Sequence, residues 1–89
     1  MDRELWKTID EYFGAKLLPE DGVLEAVLAS SAAAGLPAIQ VTPAQGQFLY
    51  LLARIHQSRT ILELGTLGGY STIGLARALP ATGVLLTLE

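Results

Sequence analysis

The sequence predicts an α/β chain in which N-terminal helices are followed by one βαβ unit. Three observations carry that expectation. Apolar residues recur at helical spacing through the first half and more of the chain, up to Ile55. The period then breaks at "TILEL", Thr60 to Leu64, a short apolar run with a β-branched start that ends at a glycine turn. After that turn come a short helical pattern and a second apolar run, "VLLTLE", which lacks polar alternation, as expected of a parallel strand covered on both faces.

The elements follow in order. Leu5, Ile9, Tyr12 or Phe13, and Leu17 lie on one helical face, with Asp2, Arg3, Lys7, Asp10 and Glu11 on the others, and the helix should end before Pro19. In "PEDGVLEAVLASSAAAGLP", Asp21 is a candidate N-cap, Val23, Leu24, Val27 and Leu28 supply the apolar positions, and Gly35 and Pro37 mark the stop. The third helix has the clearest start. Thr42 can cap, Pro43 suits the first helical position, and Gln45 stands where a capping box needs Glu or Gln. Phe48, Leu51, Leu52 and Ile55 are expected to form its apolar face, and Arg54 and Arg59 place positive charge near its negative end. Beyond the glycine turn, Ile73, Leu75, Ala76 and Leu79 form a short helix stopped by Pro80, and Gly83 precedes the second strand.

Composition narrows the function classes. A chain of 89 residues is one domain at most, and a domain this small buries only about two-thirds of its unfolded surface. With 51% hydrophobic and 17% charged residues it requires a core and is not a disordered tail. A net charge of -3 with no basic run offers no footprint for nucleic acid or for an anionic membrane, which favours a small-molecule partner. The absence of cysteine excludes disulfides and thiolate metal sites. "MDRELWKTIDEYF" lacks the build of a signal peptide, and no apolar run reaches the roughly 18 residues of a membrane span, so a cytoplasmic location is expected.

The chemistry concentrates in "ILELGTLGGYSTIGLA", Ile61 to Ala76. In a βαβ unit, ligands bind beyond the carboxyl ends of the strands, where the first turn forms the floor. Gly65, Gly68 and Gly69 let the backbone bend there and approach a ligand, and the next helix offers free N–H groups and the Ser71 hydroxyl. Glu89, at the end of the second strand, is placed to accept hydrogen bonds from the hydroxyls of an adenosine ribose. A turn of this kind also occurs as plain architecture, and Gly65-Thr66-Leu67-Gly68-Gly69 does not follow the G-x-G-x-x-G spacing of dinucleotide sites. Glu63 decides the sign of the ligand. A carboxylate at the end of the first strand repels a pyrophosphate and suits a cation, which favours S-adenosyl-L-methionine, with its sulfonium, ammonium and ribose, over NAD or ATP.

These residues also carry a resemblance. "ELGTLGGYSTIGLARALPATGVLLTLE", Glu63 to Glu89, closely resembles the first cofactor motif and second strand of the metal-dependent O-methyltransferases, the family of the caffeoyl-CoA and catechol enzymes. Upstream, "VTPAQGQFLYLL", Val41 to Leu52, resembles that family's T-x-x-x-G-Q-F-L segment, and the first forty residues match only loosely. Departures are Gly68, where the family often has Thr, and Thr42-Pro43, in place of Thr-Ser or Ser-x.

The resemblance implies a Rossmann-like class I methyltransferase fold, here truncated, with residues 1–41 as an N-terminal helical segment and 42–89 as the cofactor-binding helix and first βαβ unit. It implies that Glu63, Gly65 and Thr66 line the methionine side of the cofactor, that Ser71 bonds its amino-acid moiety, that Val41 contacts it through the backbone and that Glu89 holds the ribose. It further implies a homodimer, a small phenolic acceptor, and a Mg²⁺-like cation whose aspartate and asparagine ligands lie beyond Glu89 with the catalytic residues. A non-catalytic binding or dimerisation module is the alternative expectation.

Other residues have simpler readings. His56, the one histidine, is a helix-end residue. Trp6, Tyr12 and Phe13 are core or interface side chains, for which the resemblance adds an acceptor-pocket role. Tyr70 either packs behind the turn or flanks the cofactor.

Overall fold

The computed structural model describes residues 2–89. Its elements run α1 (Arg3–Leu17), α2 (Gly22–Ala33), α3 (Pro43–His56), β1 (Thr60–Leu64), α4 (Tyr70–Arg77) and β2 (Val84–Leu88). The predicted order of helices and strands is the observed one.

Caps set the helix starts. Asp2 accepts from the Leu5 amide at 2.7 Å and Asp21 from the Leu24 amide at 3.1 Å, each satisfying an N–H that the first helical turn leaves free. Thr42 and Gln45 form the full reciprocal box: the Gln45 amide donates to Thr42 Oγ1 at 3.2 Å and the Thr42 amide to Gln45 Oε1 at 2.9 Å. At the end of α2, Leu36 N–H donates to the Ser31 carbonyl at 3.0 Å, closing the helix across Gly35.

β1 and β2 are parallel, with Thr60 opposite Val84, Glu63 opposite Thr87 and Leu64 opposite Leu88. Alternation therefore puts Glu63 and Thr87 on one face of the sheet, half-buried, and Leu62, Leu64, Leu86 and Leu88 on the other, exposed. The helices lie so that α4 packs on β2 and on α3, with α2 against α4 and α1 against α3.

The core is small and differs from the sequence expectation. Ala53, Tyr70 and Ala78 are its buried apolar residues, joined by the backbone of Gly46. Phe48, Leu51, Leu52 and Ile55, expected to form the apolar face of α3, are exposed, and Trp6, Tyr12 and Phe13 of α1, expected at a core or an interface, are exposed as well and so are not core residues. For α3 the physical reason is its small-residue stripe, Gly46 and Ala53. A Cβ on Gly46 would stand 3.1 Å from the Tyr70 ring, so the missing side chain lets α3 and α4 approach closely through that stripe rather than through the larger apolar residues.

Candidate functional site

The site is built at the carboxyl ends of the two strands. Glu63, next to last in β1, points to the face shared with Thr87, and the first turn of α4 brings Ser71 and Thr72 over it. Its carboxylate accepts from Ser71 Oγ at 2.6 Å on Oε2, and from Thr72 and from Thr87 at 2.9 Å on Oε1. Partial burial pushes the Glu63 carboxyl upward, but the hydroxyls of Ser71, Thr72 and Thr87 outweigh it and hold the group below its ordinary range. Glu63 is thus a fixed anion at neutral pH.

The turn above it is shaped by backbone and by one close approach. Gly69 caps α4 at φ 90° without a side-chain bond, a left-handed conformation that glycine adopts freely. Gly68 gives room of another kind: a Cβ there would meet the Ser31 hydroxyl of α2, which would have to turn away. Between them and Gly65, Leu67 also has positive φ, 49°, a few-per-cent occurrence for a non-glycine residue. Its amide donates to Glu89 Oε2 at 2.6 Å, and the amide of Gly65 donates to the Leu88 carbonyl at 2.6 Å, so the turn and the end of β2 are tied together.

Of the residues singled out from the sequence, Glu63, Thr66 and Ser71 belong to one hydroxyl–carboxylate network, since Thr66 Oγ1 lies 2.6 Å from Thr87 Oγ1. Gly65 and Glu89 belong to the adjoining turn. Val41, expected to act through its backbone, stands just before α3 with its side chain beside Gly46. Tyr70 packs behind the turn against α3 at 6% exposure, and burial, with the Asp21 charge, pushes its phenol upward. A separate cavity of about 420 Å³ opens behind it between α2, α3 and α4, bordered by the Asp21–Arg77 ion pair, and Glu63, Ser71 and Glu89 do not line it.

Sequence reasoning passed over Thr72, Thr87 and the Leu67 amide. Thr87 left one signal: it is the single polar side chain inside VLLTL, and once β1 and β2 are aligned in parallel it falls opposite Glu63.

The two carboxylates, one fixed and one exposed, with no basic side chain in the network, fit a ligand that carries positive charge and hydroxyls, and the free amides at the start of α4 add donors for its acceptor or anionic groups. For a metal the fit is absent. Among the described residues no group of three or more His, Asp or Glu side chains could hold one.

Comparison with known proteins follows the same line. A family model described as O-methyltransferase matches residues 15–89. A catechol O-methyltransferase from Niastella koreensis is 53% identical over 89 residues, which is 100% of this chain and 40% of that protein. The O-methyltransferase from Bacillus cereus in complex with SAH superposes with a TM-score of 0.92 at 55% identity, covering 97% of this chain and 39% of its own. TomG from Streptomyces achromogenes, an O-methyltransferase involved in tomaymycin synthesis and solved with SAM, gives 0.86 at 47% identity, over 98% and 39%. The chain spans about two-fifths of the length of the relatives it matches.

Proposed function

This chain belongs to the O-methyltransferase family, and from that premise we propose that its 89 residues are the cofactor-binding part, a single incomplete domain, of a longer enzyme. That enzyme transfers the methyl group of S-adenosyl-L-methionine to a hydroxyl of a small, catechol-like phenolic acceptor. The observation that carries the reading is the Glu63 carboxylate, kept ionised by hydroxyls at the floor of a glycine turn. It places a fixed anion beside the turn, where it would repel a phosphate-bearing cofactor. The catechol enzyme from Niastella koreensis supports the acceptor class, and the SAH and SAM complexes support the methyl donor.

In this reading Glu63, Gly65 and Thr66 line the methionine portion, Ser71 bonds its amino-acid group, the Val41 backbone touches it, and Glu89 accepts from the ribose hydroxyls. The bound cofactor supplies an electrophilic methyl group on a sulfonium. The chain's own residues hold and orient it and keep negative charge beside it, lowering the entropy cost of the transfer. The longer protein is further proposed to carry a Mg²⁺-like cation on residues beyond Glu89, to be a cytoplasmic homodimer, and to take no nucleic-acid or membrane partner.

A second reading draws on the open sheet face. Leu62, Leu64, Leu86 and Leu88 are each more than half exposed, and an uncovered apolar face of this kind suits a non-catalytic module that associates through it.

Titration of S-adenosylhomocysteine into the longer protein, followed calorimetrically with NAD as control, separates the readings. The enzyme reading expects binding that weakens at least tenfold, about 1.4 kcal/mol, in Glu89→Ala. A well-folded protein that binds neither ligand rejects it in favour of the module.

A further inference from the structure

The oxygens of Glu63 are held unequally. Oε1 accepts from two threonines on different elements, Thr72 of α4 and Thr87 of β2, whereas Oε2 accepts from Ser71 alone. Thr87 is also within 2.6 Å of Thr66 Oγ1, a contact in which either hydroxyl could donate. Proton counting resolves it. A hydroxyl has one proton, and that of Thr87 goes to Glu63, so Thr66 is the donor to Thr87. The result is a directed chain, Thr66 to Thr87 to Glu63, that joins the glycine turn, β2 and β1 across the sheet.

We propose that Thr87 is a positioning residue for cofactor binding: with Thr72 it clamps Glu63 Oε1, leaving Oε2, whose one partner is the exchangeable Ser71 hydroxyl, as the oxygen that meets the ligand. The inference rests on the reading of Glu63 as a cofactor residue. Because Thr66 spends its proton on Thr87, its lone pairs are what remain for the ligand, so Thr66 acts there as an acceptor. An acceptor suits an ammonium or hydroxyl group and not a carboxylate. The Thr87 hydroxyl does not need to touch the cofactor for any of this, which is what separates it from the residues assigned above.

The clamp predicts coupling. Thr87→Val keeps the branched shape but removes the donor to Oε1 and the acceptor for Thr66, while Thr87→Ser keeps both. In the longer protein, S-adenosylhomocysteine titrations of wild type, Thr87→Val, Thr87→Ser, Glu63→Gln and the double variant Glu63→Gln/Thr87→Val give the cycle, with Tm recorded for each. The expected result is about tenfold weaker binding in Thr87→Val, return to within about twofold of wild type in Thr87→Ser, and no further loss when Thr87→Val is added to Glu63→Gln. Should Thr87→Val fail to fold, Thr72→Val removes the other donor to the same oxygen from a different element and is expected to show the same coupling. Wild-type binding left unchanged by Thr87→Val, or losses that multiply in the double variant, overturn the inference while leaving the cofactor reading in place. Wild type that binds no S-adenosylhomocysteine overturns both.

Discussion

Gly69→Ala tests whether the turn is built on backbone geometry. Gly69 is the N-cap of α4 at φ 90° and ψ 12°, and a Cβ at this position would meet nothing within 4 Å. The substitution therefore changes the backbone preference and adds no clash. An L-residue pays about 1–2 kcal/mol for left-handed backbone, and φ 90° lies well beyond the centre of that region near +57°, which favours the upper half. Against this, Ala restricts the unfolded chain relative to Gly and returns about 0.4–1 kcal/mol. The difference is a net loss of about 1 kcal/mol. Urea unfolding of the full chain should show a lower midpoint at an unchanged m-value. Gly69→Asn sharpens the test, because Asn tolerates the left-handed region and its side chain can accept a free N–H of α4. It should lose less than half as much. An Ala variant as stable as wild type, or an Asn variant damaged equally, refutes the claim that left-handed geometry is what this position demands.

Thr42→Ala removes the acceptor of the Gln45 amide and should cost about 1 kcal/mol in the same assay, with Thr42→Ser close to wild type; equal loss in both would show that the box at α3 does not act through its hydroxyl. The folded-state carboxyl of Glu63 lies below its ordinary value of 4.5, so its stabilisation is complete above that pH and is lost as pH falls through the lower folded value. Glu63→Gln should flatten the acid limb of stability against pH below about 4.5, while Asp21, held low by Arg77, keeps some slope in both proteins. Identical acid limbs would show that Glu63 is not a net ionised contributor to the fold.

What was legible in the sequence was local. The boundaries of the helices follow from Asp21, Thr42, Pro43 and Gly35, whose side chains or backbone freedom act within one turn of themselves. The strand pair follows from two apolar runs separated by a glycine turn and a short helix. The interior was less legible because it is set by close approach rather than by apolar content. Periodicity assigns Phe48, Leu51, Leu52 and Ile55 to the packed face, but Gly46 and Ala53 are the residues of α3 that are buried. A hydrophobicity pattern gives glycine no weight. The hydroxyl network was hidden for another reason: Thr66, Thr72 and Thr87 become informative only when strand register and helix phase bring them to one carboxylate, and neither is a property of a single segment.

The register also brings both strand-end carboxylates to one face of the sheet. With Glu63 opposite Thr87 and Leu64 opposite Leu88, the next pair is Gly65 with Glu89, and the bond from the Gly65 amide to the Leu88 carbonyl continues the ladder to that point. Alternation returns Glu89 to the face that holds Glu63, two residues further along, and the position opposite it is a glycine with no side chain to block the approach. Two residues of rise and one inter-strand spacing put the Cα atoms of the two residues about 8 Å apart. Two unit charges at such a separation repel by about 0.5 kcal/mol in water and about 2 kcal/mol at an effective dielectric of 20. A ligand that displaces water from between them raises that repulsion unless it carries positive charge of its own. In the proposed reading the selection therefore falls to Glu63, beside which the cofactor's positive charge would sit, while Glu89 takes the uncharged ribose hydroxyls that an NAD also carries.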